Sequence, residues 1–122
     1  MGGDHSVLVV DDEPSIRLLC KVNLELEGFR VLEAETLDEA RELLRGERVS
    51  VVLLDVHVGS EDGRILLEEI RAEQPALPVA LFSGTAGSDA IEEEGADAVI
   101  PKPFPLELLV DTVSHLATRA YI

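Results

Sequence analysis

Three apolar runs of this chain each stop at a residue type that phosphoryl transfer needs. Val7 to Val10 runs into Asp11-Asp12, Val49 to Leu54 into Asp55, and Val79 to Phe82 into Ser83-Gly84, while a fourth run, Ala98 to Pro101, stops at Lys102. In an open parallel sheet, ligands sit outside the carboxyl ends of the strands, so these residues are expected to meet in one crevice although they are far apart in sequence. Carboxylates crowded into a partly desolvated site repel one another, and Asp11, Asp12 and Asp55 make sense together only if protons or a hard cation relieve them. Mg²⁺ is the natural candidate, because it takes one or two carboxylates, keeps several waters and shares phosphoryl oxygens with the protein. An aspartate can itself act as the nucleophile and form an aspartyl phosphate. An ammonium, a hydroxyl and a backbone N–H would then hold the phosphoryl oxygens.

Each of these residues has an ordinary reading when taken alone. An Asp-Asp pair after a strand is more often a turn or a helix cap, Ser83-Gly84 is a turn, and Lys102 is a surface lysine. Their occurrence at four strand ends, in an order that fits one site, favours the chemical reading.

The elements that must position them follow from periodicity. Five strand-then-helix repeats, without a linker or low-complexity segment, argue for an α/β domain with a parallel sheet covered on both faces. Pro14 suits a first helical turn, Ile16, Cys20 and Leu24 mark an inward face, and Gly28 ends that helix. The second strand is about Arg30 to Ala34. Thr36 and Glu39 have capping-box spacing ahead of a stripe of Leu37, Ala40, Leu43 and Leu44. The third strand, Val49 to Val56, is continuously hydrophobic and therefore central. A helix from about Gly63 to Glu73 turns Leu66, Leu67 and Ile70 inward, and only about Ala90 to Glu94 is left for a short fourth helix. Pro101 places the fifth strand at a sheet edge, and a last helix from Pro105 carries Leu109, Val113, Leu116 and Ala120 on one side.

Composition narrows the function classes. The 122 residues suffice for one domain with a real core. A net charge of −15 argues against a direct grip on nucleic acid, which needs basic clusters. Glu25, Glu27, Glu42, Glu68, Glu69, Glu92, Glu93 and Glu94 are read as solvated helix surface. No apolar run approaches the eighteen or so residues of a membrane span, and no secretion signal is apparent, so a cytoplasmic location is expected. Cys20, the single cysteine, excludes an internal disulfide and reads as core. His5 and His115 read as surface residues.

The segments VLVVDDEPSIR at Val7 to Arg17, VVLLDV at Val51 to Val56 with Asp62-Gly63 following, PVALFSG at Pro78 to Gly84 and GADAVIPKPF at Gly95 to Phe104 resemble the receiver domain of bacterial two-component response regulators. The resemblance covers essentially the whole chain, taken as a single receiver domain over residues 1–122 with an ordered core of about 6–121 and no output domain. It implies the flavodoxin-like fold, a doubly wound five-stranded parallel sheet in the order 2-1-3-4-5, with five helices of which the fourth is shortened here. It also implies transfer of phosphate from a phosphohistidine of a sensor histidine kinase, or of a histidine phosphotransfer protein, onto Asp55.

Carried over position by position, Asp12 and Asp55 resemble direct Mg²⁺ ligands. Asp11 would act largely through water, and the backbone carbonyl of His57 would complete the protein's share. Ser83 and Lys102 resemble the hydroxyl and lysine that hold the phosphoryl group, Gly84 would lend its N–H, and the Lys102-Pro103 bond would be cis. Such a domain is a signalling phosphoacceptor rather than an enzyme, with self-catalysed phosphotransfer and slow autodephosphorylation only. A homodimer and a downstream effector are further partners the family uses. In the family, kinases and phosphotransfer proteins dock over the first helix, where Leu18, Val22 and Leu26 form a second apolar stripe.

Three departures stand out. Val99 occupies the place of a usual Tyr or Phe. The span from Ser83 to Gly95 is short, and Gly59 replaces a usual proline, which should free the loop after Asp55. The side chain of His57 is read as a solvated rim residue. Two other classes remain: a degenerate receiver that only binds proteins, which the intact Asp11, Asp12, Asp55, Ser83 and Lys102 set argues against, and a Mg²⁺-dependent phosphohydrolase with an aspartyl nucleophile. Haloacid-dehalogenase-like enzymes of the latter kind carry a second aspartate where this chain has His57.

Overall fold

In the computed structural model, which describes residues 5–84 and 95–119, five parallel strands build the sheet. They are β1 (Ser6–Val10), β2 (Arg30–Ala34), β3 (Val51–Asp55), β6 (Val79–Ser83) and β7 (Ala98–Pro101), in the order β2-β1-β3-β6-β7. This is the expected 2-1-3-4-5 order, because the two intervening strands, β4 (His57–Val58) and β5 (Glu61–Asp62), form a separate antiparallel hairpin. Four helices lie among the described residues: α1 (Pro14–Leu26), α2 (Leu37–Gly46), α3 (Arg64–Glu73) and α4 (Leu106–Arg119). The short helix expected at Ala90 to Glu94 lies outside the described residues, as does the segment 85–89 before it.

The core divides into two layers because strand side chains alternate. Val7 and Val9 of β1, Val51 and Leu53 of β3, and Ala80 and Phe82 of β6 face α1 and α4, where they meet Cys20, Leu24, Leu109, Val113 and Leu116. The alternate residues Leu8, Val10, Val52, Leu54, Val79 and Leu81 face α2 and α3, against Leu37, Ala40, Leu66, Leu67 and Ile70. β1, β3 and β6 are buried on both faces, which is why they read as unbroken hydrophobic runs. β7 is an edge, and Pro101 is tolerated at its last position.

Local signals act as their chemistry dictates. Pro14 sits at the first position of α1, and Thr36 caps α2 by accepting the Glu39 N–H at 3.1 Å. The Glu39 carboxylate reaches back one residue further than a standard capping box, to the Glu35 N–H at 2.7 Å. β3 begins at Val51 rather than Val49 and ends at Asp55 rather than Val56. It ends there because the Val56 carbonyl is taken by Gly63 at 2.6 Å as the chain turns into the hairpin.

Two surface assignments change. Glu69 is only half exposed and takes a forked pair of bonds from Arg41 at 2.8 and 3.0 Å, tying α3 to α2. Arg41 holds the Glu69 carboxyl below the usual carboxylate range. His5 is half-buried, its ring 6.3 Å from Phe29, whereas His115 is exposed.

Candidate functional site

The carboxyl ends of β1, β3, β6 and β7 converge as the topology requires, because each strand is in parallel register with its neighbour up to its last residues. Val10 pairs with Leu54, Asp55 with Phe82, and Ser83 with Pro101. Asp11 leaves β1 with its N–H still donated to the Ala34 carbonyl at 3.1 Å, so the first carboxylate is fixed by the sheet. Its Oδ1 accepts the Glu13 N–H at 2.9 Å, just ahead of Pro14. Arg17, one turn into α1, donates to the Asp11 carbonyl at 2.6 Å and lies 3.4 Å from Glu33, strapping the loop from behind.

Carboxylate oxygens of Asp11, Asp12 and Asp55 lie within 4.8 Å of one another. Asp11 and Asp55 are buried, while Asp12 stands at the more open side. Lys102 reaches into this cluster from the end of β7. Its Nζ donates to Asp11 Oδ2 at 2.8 Å and Asp55 Oδ2 at 3.0 Å, and lies 3.6 Å from Glu13. The lysine backbone is fixed by its N–H bond to the Ser83 carbonyl at 2.8 Å, and the Lys102-Pro103 bond is cis.

The ammonium also lies 5.5 Å from the centre of the Phe82 ring, which stacks on Phe104 at 5.3 Å. Val99, half-buried opposite Leu81, supplies no ring, so the ring beneath the lysine is that of Phe82. Ser83 is buried at the end of β6 and Gly84 is exposed beside it. His57 is exposed, and its backbone N–H donates to Asp55 Oδ1 at 3.3 Å.

Burial dominates the electrostatics. It pushes the Asp11 carboxyl up, more than the Lys102 hydrogen bond pulls it down, and the nearby Asp55 charge adds to the rise. Burial works against the Lys102 ammonium too, but its bonds to Asp11 and Asp55 outweigh that and raise it, so the lysine stays charged. One ammonium among three carboxylates leaves negative charge unbalanced in a desolvated spot. Hard oxygen donors so arranged fit a small divalent cation.

Asp11, Asp12, Asp55 and Lys102 therefore meet, and Ser83 ends β6 at the same end of the sheet. A profile of the response regulator receiver domain matches residues 7–114. The chain belongs to this family.

Receiver relatives are close in sequence and shape. The probable transcriptional regulatory protein TcrX of Mycobacterium tuberculosis is 35% identical over 97% of this chain and 52% of its own length. The sensor kinase CckA of Brucella abortus is 34% identical over 98% of this chain but 13% of its own. The receiver domain of NtrX from Brucella abortus superposes with a TM-score of 0.83 at 32% identity, covering 92% of this chain and 98% of that one. The chain thus spans about half the length, or less, of these curated relatives. Among the described residues no helix is long and apolar enough to cross a membrane.

Sequence reasoning missed Arg17, the Phe82–Phe104 stack and the β4–β5 hairpin. The hairpin had a signal: Gly59-Ser60 between Val58 and Glu61 is a two-residue turn of the kind that favours glycine first. Gly59 sits at the turn that folds this loop back into a paired ribbon.

Proposed function

We propose that this receiver takes a phosphoryl group from a phosphohistidine onto Asp55, as a switch in a two-component phosphorelay. The observation that carries the reading is the Lys102 ammonium, shared at 2.8 and 3.0 Å between two buried carboxylates at the ends of β1 and β3. An Asp55 oxygen attacks phosphorus, the donor's N–P bond breaks, and the imidazole leaves with its proton. Lys102 then pairs with a phosphoryl oxygen in place of the Asp55 carboxylate, while the Ser83 hydroxyl and the Gly84 N–H hold the others.

Asp12, Asp55 and the His57 carbonyl would hold Mg²⁺, with Asp11 acting through water. Bound there, the cation offsets the charge of the incoming phosphate. No enzymatic turnover beyond self-phosphorylation and slow hydrolysis belongs to this reading.

The donor is a sensor histidine kinase or a histidine phosphotransfer protein. Its contact surface is the exposed stripe of Leu18, Val22 and Leu26 on α1, the helix that follows Asp11-Asp12. A cytoplasmic setting and the absence of a nucleic-acid grip follow from the acidic composition and the kind of donor. Incubation with acetyl phosphate and Mg²⁺, followed by peptide mapping, tests the assignment. Phosphate on Asp55 supports it, and phosphate elsewhere overturns it.

A further inference from the structure

Asp12 is the least anchored of the three carboxylates. It stands at the open side of the cluster, and among the described residues no hydrogen bond or ion pair holds its side chain. Where that carboxylate points is therefore set by the main chain on either side of it, because two fixed peptide planes leave the residue between them no freedom in φ and ψ.

Both planes are held. The Asp12–Glu13 peptide is fixed through the Glu13 N–H, which is donated to Asp11 Oδ1 at 2.9 Å. The Asp11–Asp12 peptide is fixed through the Asp11 carbonyl, which accepts Arg17 Nη1 at 2.6 Å. The N–H of that second peptide finds no acceptor among the described residues, so the guanidinium is its one hydrogen-bonded anchor.

Arg17 is built for this grip. Its own N–H bonds the Glu13 carbonyl at 3.2 Å, which places it in the first turn of α1, and helical side chains lean toward the helix N-terminus. The guanidinium thus reaches back over Asp11, where its Nε also lies 3.4 Å from Glu33 Oε1 on β2. Glu33 precedes Ala34, whose carbonyl takes the Asp11 N–H at 3.1 Å. The fork therefore ties the loop to the strand beside it, and its side chain is only 14% exposed. A lysine has one nitrogen and cannot hold both partners in this planar arrangement.

We infer that Arg17 is a positioning residue for the metal site: by bracing the Asp11 carbonyl against β2 it fixes the Asp11–Asp12 peptide, and so aims the Asp12 carboxylate at the cation. The inference rests on the reading of Asp12 as a Mg²⁺ ligand. Charge and direction are separable here. A positive charge near three carboxylates acts at a distance and would serve equally well as lysine, whereas the brace needs the fork.

Mg²⁺ titration of the whole chain by calorimetry, with amide resonances recorded on the metal-free protein, tests this on Arg17→Lys and Arg17→Met. Both variants should bind Mg²⁺ about tenfold more weakly than wild type, the scale on which supporting residues tune metal sites. The Asp12 amide resonance should move in both, while that of Asp11, still bonded to the Ala34 carbonyl, should hold its place. Lys21→Met removes the same charge from the same helix, where Lys21 pairs with Glu25, and should bind Mg²⁺ like wild type. Wild-type Mg²⁺ affinity or an unmoved Asp12 amide in Arg17→Met overturns the inference. So does wild-type affinity in Arg17→Lys, or equal weakening in Lys21→Met, since either would reduce Arg17 to its charge. Asp12→Asn separates the two levels: if it binds Mg²⁺ as tightly as wild type, the carboxylate site itself is misassigned.

Discussion

Gly63 lies so close to the main-chain carbonyl of Asp55 that a β-carbon on it would overlap the oxygen, and its own N–H is bonded to Val56 at 2.6 Å. The residue that starts α3 is therefore packed directly against the backbone of the proposed phosphoacceptor. Only glycine allows that approach. Its φ of −61° is ordinary, so the demand is for space and not for an unusual conformation.

Gly63→Ala should accordingly push α3 away from Asp55. The expected cost is about 1–3 kcal/mol, the usual range for overpacking. The urea midpoint should fall, and phosphorylation by acetyl phosphate should slow at saturating Mg²⁺. Unchanged values for both would show that the backbone gives way without consequence.

Arg71 joins α3 to the amino-terminal end of the sheet. Its guanidinium donates to the Gly95 carbonyl at 2.6 Å, the Leu77 carbonyl at 2.7 Å and the Asp97 carboxylate at 2.6 Å, and Asp97 in turn accepts the Val79 N–H at 2.8 Å. Arg71→Met leaves the partly buried Leu77 carbonyl and Asp97 carboxylate short of a donor, and should cost roughly 1–3 kcal/mol in denaturant unfolding.

Burial pushes the Cys20 thiol up from 9.0 to about 12, with the nearby Asp11 charge adding to the rise. In the native protein the thiol should resist iodoacetamide at pH 8, and react only when denaturant opens the core. The unfolded chain releases this proton from about pH 9 while the folded chain keeps it. The stability this contributes is therefore complete below pH 9 and lost as pH rises toward 12. Rapid native alkylation, followed by mass, would contradict this placement.

The apolar stripe on α1 is exposed, with Leu18 at 60% and Leu26 at 78%. Replacing both with serine should change stability by no more than about 0.5 kcal/mol each, since neither packs in the core. The double variant should accept phosphate normally from acetyl phosphate but slowly from a phosphorylated histidine protein. Equal rates from the protein donor would remove this face from the contact.

Strand order, the two-layer core and the gathering of Asp11, Asp12, Asp55, Ser83 and Lys102 were legible in the sequence. Fully buried parallel strands leave unbroken hydrophobic runs, and strand ends in such a sheet share one edge. Arg17 and Arg71 were not legible, because their partners are carbonyl groups such as those of Asp11 and Leu77, and main-chain acceptors leave no trace in residue identity. Glu69 read as solvent surface because its partner Arg41 is on another helix, outside any local spacing rule. Gly59 was seen, but not the left-handed hairpin turn it occupies, because a lone glycine in a polar loop does not by itself specify a turn type.

The central claim is that Asp55 accepts phosphate in a site that needs a divalent cation to hold three carboxylates beside it. Intact-mass analysis after incubation with acetyl phosphate, with Mg²⁺ or with EDTA, on wild type and Asp55→Asn, tests it most directly. One phosphoryl group should appear on the wild type with Mg²⁺, and none with EDTA or on Asp55→Asn. Labelling that persists in Asp55→Asn, or that ignores removal of the metal, would contradict the account.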